Sequence, residues 1–209
     1  MIRRAAIAPL LAAATACSDI TPPHRAAAYP FADPLTGDVF HWTPDRLPVR
    51  HYADRRGTMP TLVAEALRVW EAQFLYGEFR GVLVSDSLAA DVIVVWADSV
   101  PPDVPPDTTG AVGACGGVTS FVVDSTDTIE SPIRVQIGVN AGYTPAQVAA
   151  CLPRVTRHEL GHALGILRHS PAPPDLMHGT PSVDVPSARD RVTAEVLYHT
   201  PPTIAPPPR

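Results

Sequence analysis

His158-Glu159-Leu160-Gly161-His162-Ala163-Leu164-Gly165-Ile166-Leu167-Arg168-His169-Ser170, continuing through Asp175-Leu176-Met177-His178-Gly179, is the stretch on which the reading of this chain turns. His158 and His162 stand at i and i+4, so on a helix they share one face and can bind a single zinc ion. Glu159 between them is a carboxylate placed beside that metal, where it can act as a general base toward water. Gly165 follows at a position suited to ending the helix in a left-handed conformation.

The segments before this stretch alternate strand and helix patterns. Leu47 to Ala53 alternates as a strand, with Val49 and His51 on one face. Thr58 to Phe74 carries Leu62, Ala66, Val69 and Trp70 at helical spacing. Phe79 to Ser85, Asp91 to Ala97, Val118 to Asp124 and Pro132 to Val139 read as four more strands. Asp91 to Ala97 is apolar enough to be buried on both faces, and Ile133, Val135, Ile137 and Val139 alternate inward. A long helix then starts at a Thr144 cap with Pro145 in its first position. Pro153 lies five residues before His158 and predicts a kink or a restart there. A final helix spans about Ser187 to Tyr198.

The motif and the order of elements resemble the metzincin clan of zinc metalloproteases, whose signature is H-E-x-x-H-x-x-G-x-x-H followed by a Met-turn. The HELGHALG wording and the serine after the third histidine are most similar to matrixins and their bacterial relatives. The resemblance implies an α+β fold of zincin type. That fold has a twisted mixed five-stranded sheet with two main helices, one of them the active-site helix, a Met-turn and a C-terminal helix. It also implies zinc-dependent endopeptidase activity, with Glu159 as general base and Met177 as the apolar floor below the metal. Within that topology the Val118 to Asp124 strand is the antiparallel edge above the cleft. Val118, Thr119, Ser120, Phe121, Val122 and Val123 would then pair with an extended peptide by strand addition.

One position departs from the clan. Its third histidine stands ten residues after the first, where this chain has Arg168, and His169 comes one later. Arginine has no lone pair to offer a metal. A continuous helix would carry His169 about 10 Å along the axis beyond His162, too far for zinc–nitrogen bonds near 2 Å. The helix must therefore end near Gly165, and the loop beyond it can absorb the extra residue. His169 is the expected third ligand, with His178 as the fallback. A gluzincin arrangement with Glu195 as ligand would leave Gly165, His169 and Met177 without a role. Calcium could bind at Asp98, Asp103 and Asp107, or at Asp124, Asp127 and Glu130, although such acidic loops are more often only solvated.

The rest of the chain bounds this reading. It has 209 residues, with 25 prolines and a formal net charge of −5. A net negative chain without a basic run is a poor nucleic-acid binder. No apolar run reaches the length of a membrane span. Residues 1–16 read as a signal peptide, with Arg3 and Arg4 before an Ala-rich run. Ala14-Thr15-Ala16-Cys17 resembles a bacterial lipobox, which would make Cys17 a lipid anchor; simple cleavage after Ala16 is the alternative, and both imply export to the cell envelope or medium. Residues 17–37 read as a Pro-rich tether, 38–200 as the catalytic domain and 201–209 as a Pro-rich tail. Cys115 and Cys151 would pair in an oxidising compartment, or remain as two buried thiols. No further cysteine precedes the domain to support latency by a cysteine on the zinc. The expected partner is a peptide or protein substrate, with the membrane reached only through the lipid, for a monomer. A zinc-containing scaffold lipoprotein without activity is the alternative, though it has no need of Glu159.

Overall fold

A computed structural model describes residues 26–97 and 113–206, with the side chain of Ser131 left aside. The proposed signal, Cys17, Asp98, Asp103 and Asp107 lie outside those residues. Among the described residues no helix is long and apolar enough to cross a membrane.

The fold is α+β. Five strands, β1 (Val49–Ala53), β2 (Gly81–Val84), β3 (Val92–Trp96), β4 (Cys115–Val123) and β5 (Ile129–Val139), form one sheet in the order β2-β1-β3-β5-β4. β1 pairs with β2 and β3 in parallel, and β3 with β5 in parallel, while β4 runs antiparallel to β5 at the sheet edge. The parallel pairs need crossovers. α1 (Met59–Glu71) supplies the one between β1 and β2.

Each element buries the face its spacing dictates. α1 turns Met59, Leu62, Val63, Ala66, Leu67 and Trp70 inward and lies against β1, β2 and β3. α2 (Pro145–Ala163) lies against β4, β5 and α1. Its start is secured by a capping box: Thr144 accepts from the Gln147 N–H, and the Gln147 side chain accepts from the Thr144 N–H. α3 (Ala188–Tyr198) begins in the same way, with Ser187 and Asp190.

Four expectations are corrected. The restart offered as one alternative at Pro153 does not occur, since α2 is a single helix through it. The carbonyl deprived of its partner there belongs to Ala149, an exposed residue that water can reach. In β3, Val92 and Val94 are fully buried but Ile93, Val95 and Trp96 only partly, because the helices cover one face of the sheet. Ile133, Val135 and Ile137 of β5 are buried as expected. Val139 is 40% exposed, because it ends the strand opposite Cys115 at the margin of the sheet.

The fourth concerns the domain limits, since packing reaches past both ends of 38–200. Tyr29 is 3% exposed and its hydroxyl donates to Asp190 Oδ1 at 2.5 Å. The Phe31 carbonyl accepts from the Leu167 N–H at 2.8 Å. At the other end Ile204 is buried and bridges Phe40, while Ala205 bridges Thr128 beside the β4–β5 turn. Residues 26–37 and 201–206 thus form part of the packed unit rather than a free tether and tail.

Candidate metal centre

α2 sets His158 and His162 one turn apart, and the chain then breaks. Leu164 closes the helix, and Gly165 takes φ +116°, a region that side chains rarely adopt. A Cβ at Gly165 would also run into the Phe40 carbonyl, so the break depends on glycine twice over. The loop beyond it returns His169 to the helix. His158 Nε2 lies 3.1 Å from His162 Nε2 and 3.3 Å from His169 Nε2, and the three donor atoms lie within 4.8 Å of one another.

The opposite ring nitrogens decide the tautomers. His158 Nδ1 sits 2.7 Å from the Leu176 carbonyl, and His162 Nδ1 2.6 Å from the Ile166 carbonyl. A carbonyl only accepts, so each Nδ1 carries the proton and each Nε2 presents a bare lone pair. Burial holds both imidazoles well below their ordinary range, His162 at about 4, and the neighbouring rings lower them further. His169 is lowered too, first by burial and then by His178. The two bare lone pairs of His158 and His162, 3.1 Å apart on neutral rings, repel unless a cation lies between them. Zinc–nitrogen bonds of 2.0–2.1 Å in a tetrahedron set ligand nitrogens about 3.3 to 3.4 Å apart, close to this spacing. The donor set therefore fits a metal ion, and the three histidines could hold one.

Glu159 is 4% exposed. Burial lifts its carboxyl to about 7, against a bond from Thr119 that pulls it down. Met177 is fully buried, and a Cβ at Gly161 would overlap its sulfur and approach Trp70 Cζ2 at 2.7 Å. The absence of a side chain at Gly161 thus lets the Met177 turn close against α2. The turn is fastened from behind. Asp190 accepts from the Leu176 and Ser187 N–H groups at 2.8 Å each and from the Met177 N–H at 3.4 Å. Asp175, also buried, accepts from Ser170, from Ser187 at 2.7 Å and from Arg189 at 3.0 Å. The Ser170 N–H donates to the Met177 carbonyl at 2.8 Å, binding the residue after His169 to the turn.

Other candidates fall outside this cluster. His178 is not one of the three converging histidines, and its Nδ1 accepts from the Thr180 N–H. Glu195, on α3, is also not among them. Asp124 spends its carboxylate on Thr126 and Thr128 within a turn, and with Asp127 and Glu130 it forms no convergent metal-binding group among the described residues. Cys115 and Cys151 form a disulfide with 5.9 Å between Cα atoms, linking the start of β4 to α2. On β4, Val118, Thr119, Ser120, Phe121, Val122 and Val123 lie at the sheet edge, with Ser120 and Val122 exposed. The register shifts between Ser120 and Val122, so regular pairing covers Cys115 to Ser120.

Sequence reasoning missed Gly117, Gly161, Asp175, Asp190 and Tyr29, and saw Thr119 only as part of an edge. The capping box before α3 was the one local signal that could have marked Asp190.

A scan against protein-family models finds no match, and a search of curated proteins finds none that is significantly similar.

Proposed function

We propose that the chain is a zinc endopeptidase of metzincin type, acting on extended peptides or proteins. The observation that carries this reading is the convergence of three histidine nitrogens, two of them with their other ring nitrogen held by a carbonyl, beside one buried carboxyl group. His158, His162 and His169 would hold the ion. When bound there, zinc supplies Lewis acidity, polarising a carbonyl and acidifying water.

The remaining chemistry belongs to the chain. Glu159 takes a proton from the attacking water and returns it to the amine nitrogen as the carbon–nitrogen bond breaks. A carboxyl raised by burial to about 7 can serve in both directions near neutral pH. β4, an edge strand among the described residues, offers backbone N–H and C=O groups to an extended substrate. Met177 closes the apolar side of the site and does not ligate. Export to the cell envelope, with Cys17 as lipid anchor, belongs to the same proposal. The Cys115–Cys151 disulfide supports it, since such bonds persist in oxidising compartments.

Zinc analysis and a peptide-library cleavage profile on residues 18–209 test the proposal. The expected result is one zinc per chain, with cleavage abolished by a chelator, restored by zinc and absent in Glu159→Ala. Proteolysis surviving in zinc-loaded Glu159→Ala would overturn the mechanism. Stoichiometric zinc without cleavage of any peptide would favour the scaffold reading.

A further inference from the structure

The carboxyl group at the centre of the endopeptidase reading is held by an element other than its own helix. The Thr119 hydroxyl, on β4, lies 2.8 Å from Glu159 Oε2 and 2.9 Å from the Glu159 backbone carbonyl, its single proton shared between the two acceptors. The carbonyl contact ties the hydroxyl to the α2 backbone, so the group that holds the carboxyl is itself anchored. Two residues earlier, on the same face of β4, Gly117 presents bare backbone. A Cβ there would lie 2.5 Å from Glu159 Cγ, 2.8 Å from Oε1 and 2.9 Å from Cδ.

The two contacts restrict different freedoms. A glutamate side chain has three rotatable bonds, and a general base must present one oxygen to one proton within a few tenths of an ångström. Gly117 sets how closely the side chain lies against the strand. Thr119 fixes the rotation of the carboxyl about its last bond. Oε2 is committed to Thr119, while Oε1 has no hydrogen-bond partner among the described residues.

We propose that Gly117 and Thr119 are positioning residues that hold the Glu159 carboxyl in one rotamer and reserve Oε1 as its proton-accepting oxygen. This rests on the endopeptidase reading for its consequence in catalysis, but the placement of the carboxyl can be observed without any turnover. The strand that would receive the substrate backbone is thus the strand that sets the base.

Three variants of the zinc-loaded chain test it: Thr119→Val, which keeps the shape and removes the hydroxyl; Thr119→Ser, which restores it; and Gly117→Ala, which crowds the carboxyl. Thr119→Val is expected to lower kcat about ten- to hundredfold with KM within about twofold. Thr119→Ser should stay within about threefold of the parent, and Gly117→Ala should fall with Thr119→Val. A purely structural hydrogen bond would move zinc content and melting temperature instead of kcat alone. In crystal structures of the variants, the Glu159 carboxyl is expected to leave its place in Thr119→Val and Gly117→Ala and to keep it in Thr119→Ser. If the parent cleaves peptides and Glu159→Ala does not, an unchanged kcat in Thr119→Val overturns the positioning role while the endopeptidase reading stands. If the parent cleaves nothing, that reading fails, and the crystal structures decide the cradle: an unmoved carboxyl in Thr119→Val refutes it. Should Thr119→Val not fold, Gly117→Ala decides by the same two criteria.

Discussion

Tyr29 and Asp190 lie 161 residues apart and meet behind the Met177 turn, and a double-mutant cycle on them measures how far the N-terminal segment supports the proposed metal centre. Asp190 is fully buried, and its carboxylate accepts from Tyr29, Leu176, Ser187 and Met177. Tyr29→Phe removes one bond to a charged group, worth about 1.5 to 3 kcal/mol. Asp190→Ala strands three close donors in a dry site, for a cost of about 4 to 5 kcal/mol. With Asp190 gone the Tyr29 hydroxyl has lost its acceptor. The double variant should therefore be about 2 kcal/mol more stable than the sum of the single effects predicts. Urea unfolding of all four zinc-loaded chains reads this coupling. The same carboxylate fixes the turn whose Leu176 carbonyl orients His158, so on the proposed zinc site Asp190→Ala should also weaken metal binding about ten- to hundredfold. Additivity within about 0.5 kcal/mol would refute the coupling. An unchanged zinc affinity would refute the link to His158.

Two more outcomes can be measured. His51 is 2% exposed, donates from Nδ1 to the Val49 carbonyl, and is pushed by burial to about 4. Between pH 6.5 and 4 the unfolded chain binds the extra proton, so acid costs the fold up to about 3 kcal/mol through this residue. The stability gap between the parent and His51→Gln should close by that amount as pH falls from 7 to 4, because every other titrating group is common to both chains. A gap independent of pH would refute this. Replacing Cys115 and Cys151 by serine opens a loop with a sequence separation of 36 and should cost about 4 kcal/mol by chain entropy. An unfolding midpoint equal to that of the oxidised parent would contradict it.

The elements with a strong period or a cap were legible in the sequence. Leu62, Ala66 and Trp70 of the α1 stripe, the Thr144 cap and the odd positions of β5 from Ile133 to Ile137 lie where alternation or capping placed them, while Val69 is only half-buried. The His158–His162 pair was legible because both residues belong to one helix, and the break at Gly165 because a ligand in the loop demanded it. The limits of the packed unit were not legible. Tyr29 and Ile204 are single apolar anchors in proline-rich segments, and one anchor makes no period. That α2 would not restart at Pro153 was not legible, because the cost there depends on whether water reaches the carbonyl of Ala149, which is a property of the packed surface. Thr119 and Gly117 escaped as partners of Glu159 because no local pattern reports contacts between residues so far apart in the chain, 40 positions for Thr119.

The outer partners of His158 and His162 are main-chain carbonyls, those of Leu176 and Ile166. No substitution can delete a carbonyl. The orientation of these rings is therefore insulated from most point changes at Leu176 and Ile166, where any residue that preserves the backbone keeps the acceptor. Vulnerability moves instead to the residues that shape that backbone: Gly165, where only glycine fits, and Asp190, which holds the turn by its N–H groups. In a mutational survey the deepest losses of metal binding outside the ligands should cluster at such shaping positions, and the residues that touch the histidines should look permissive.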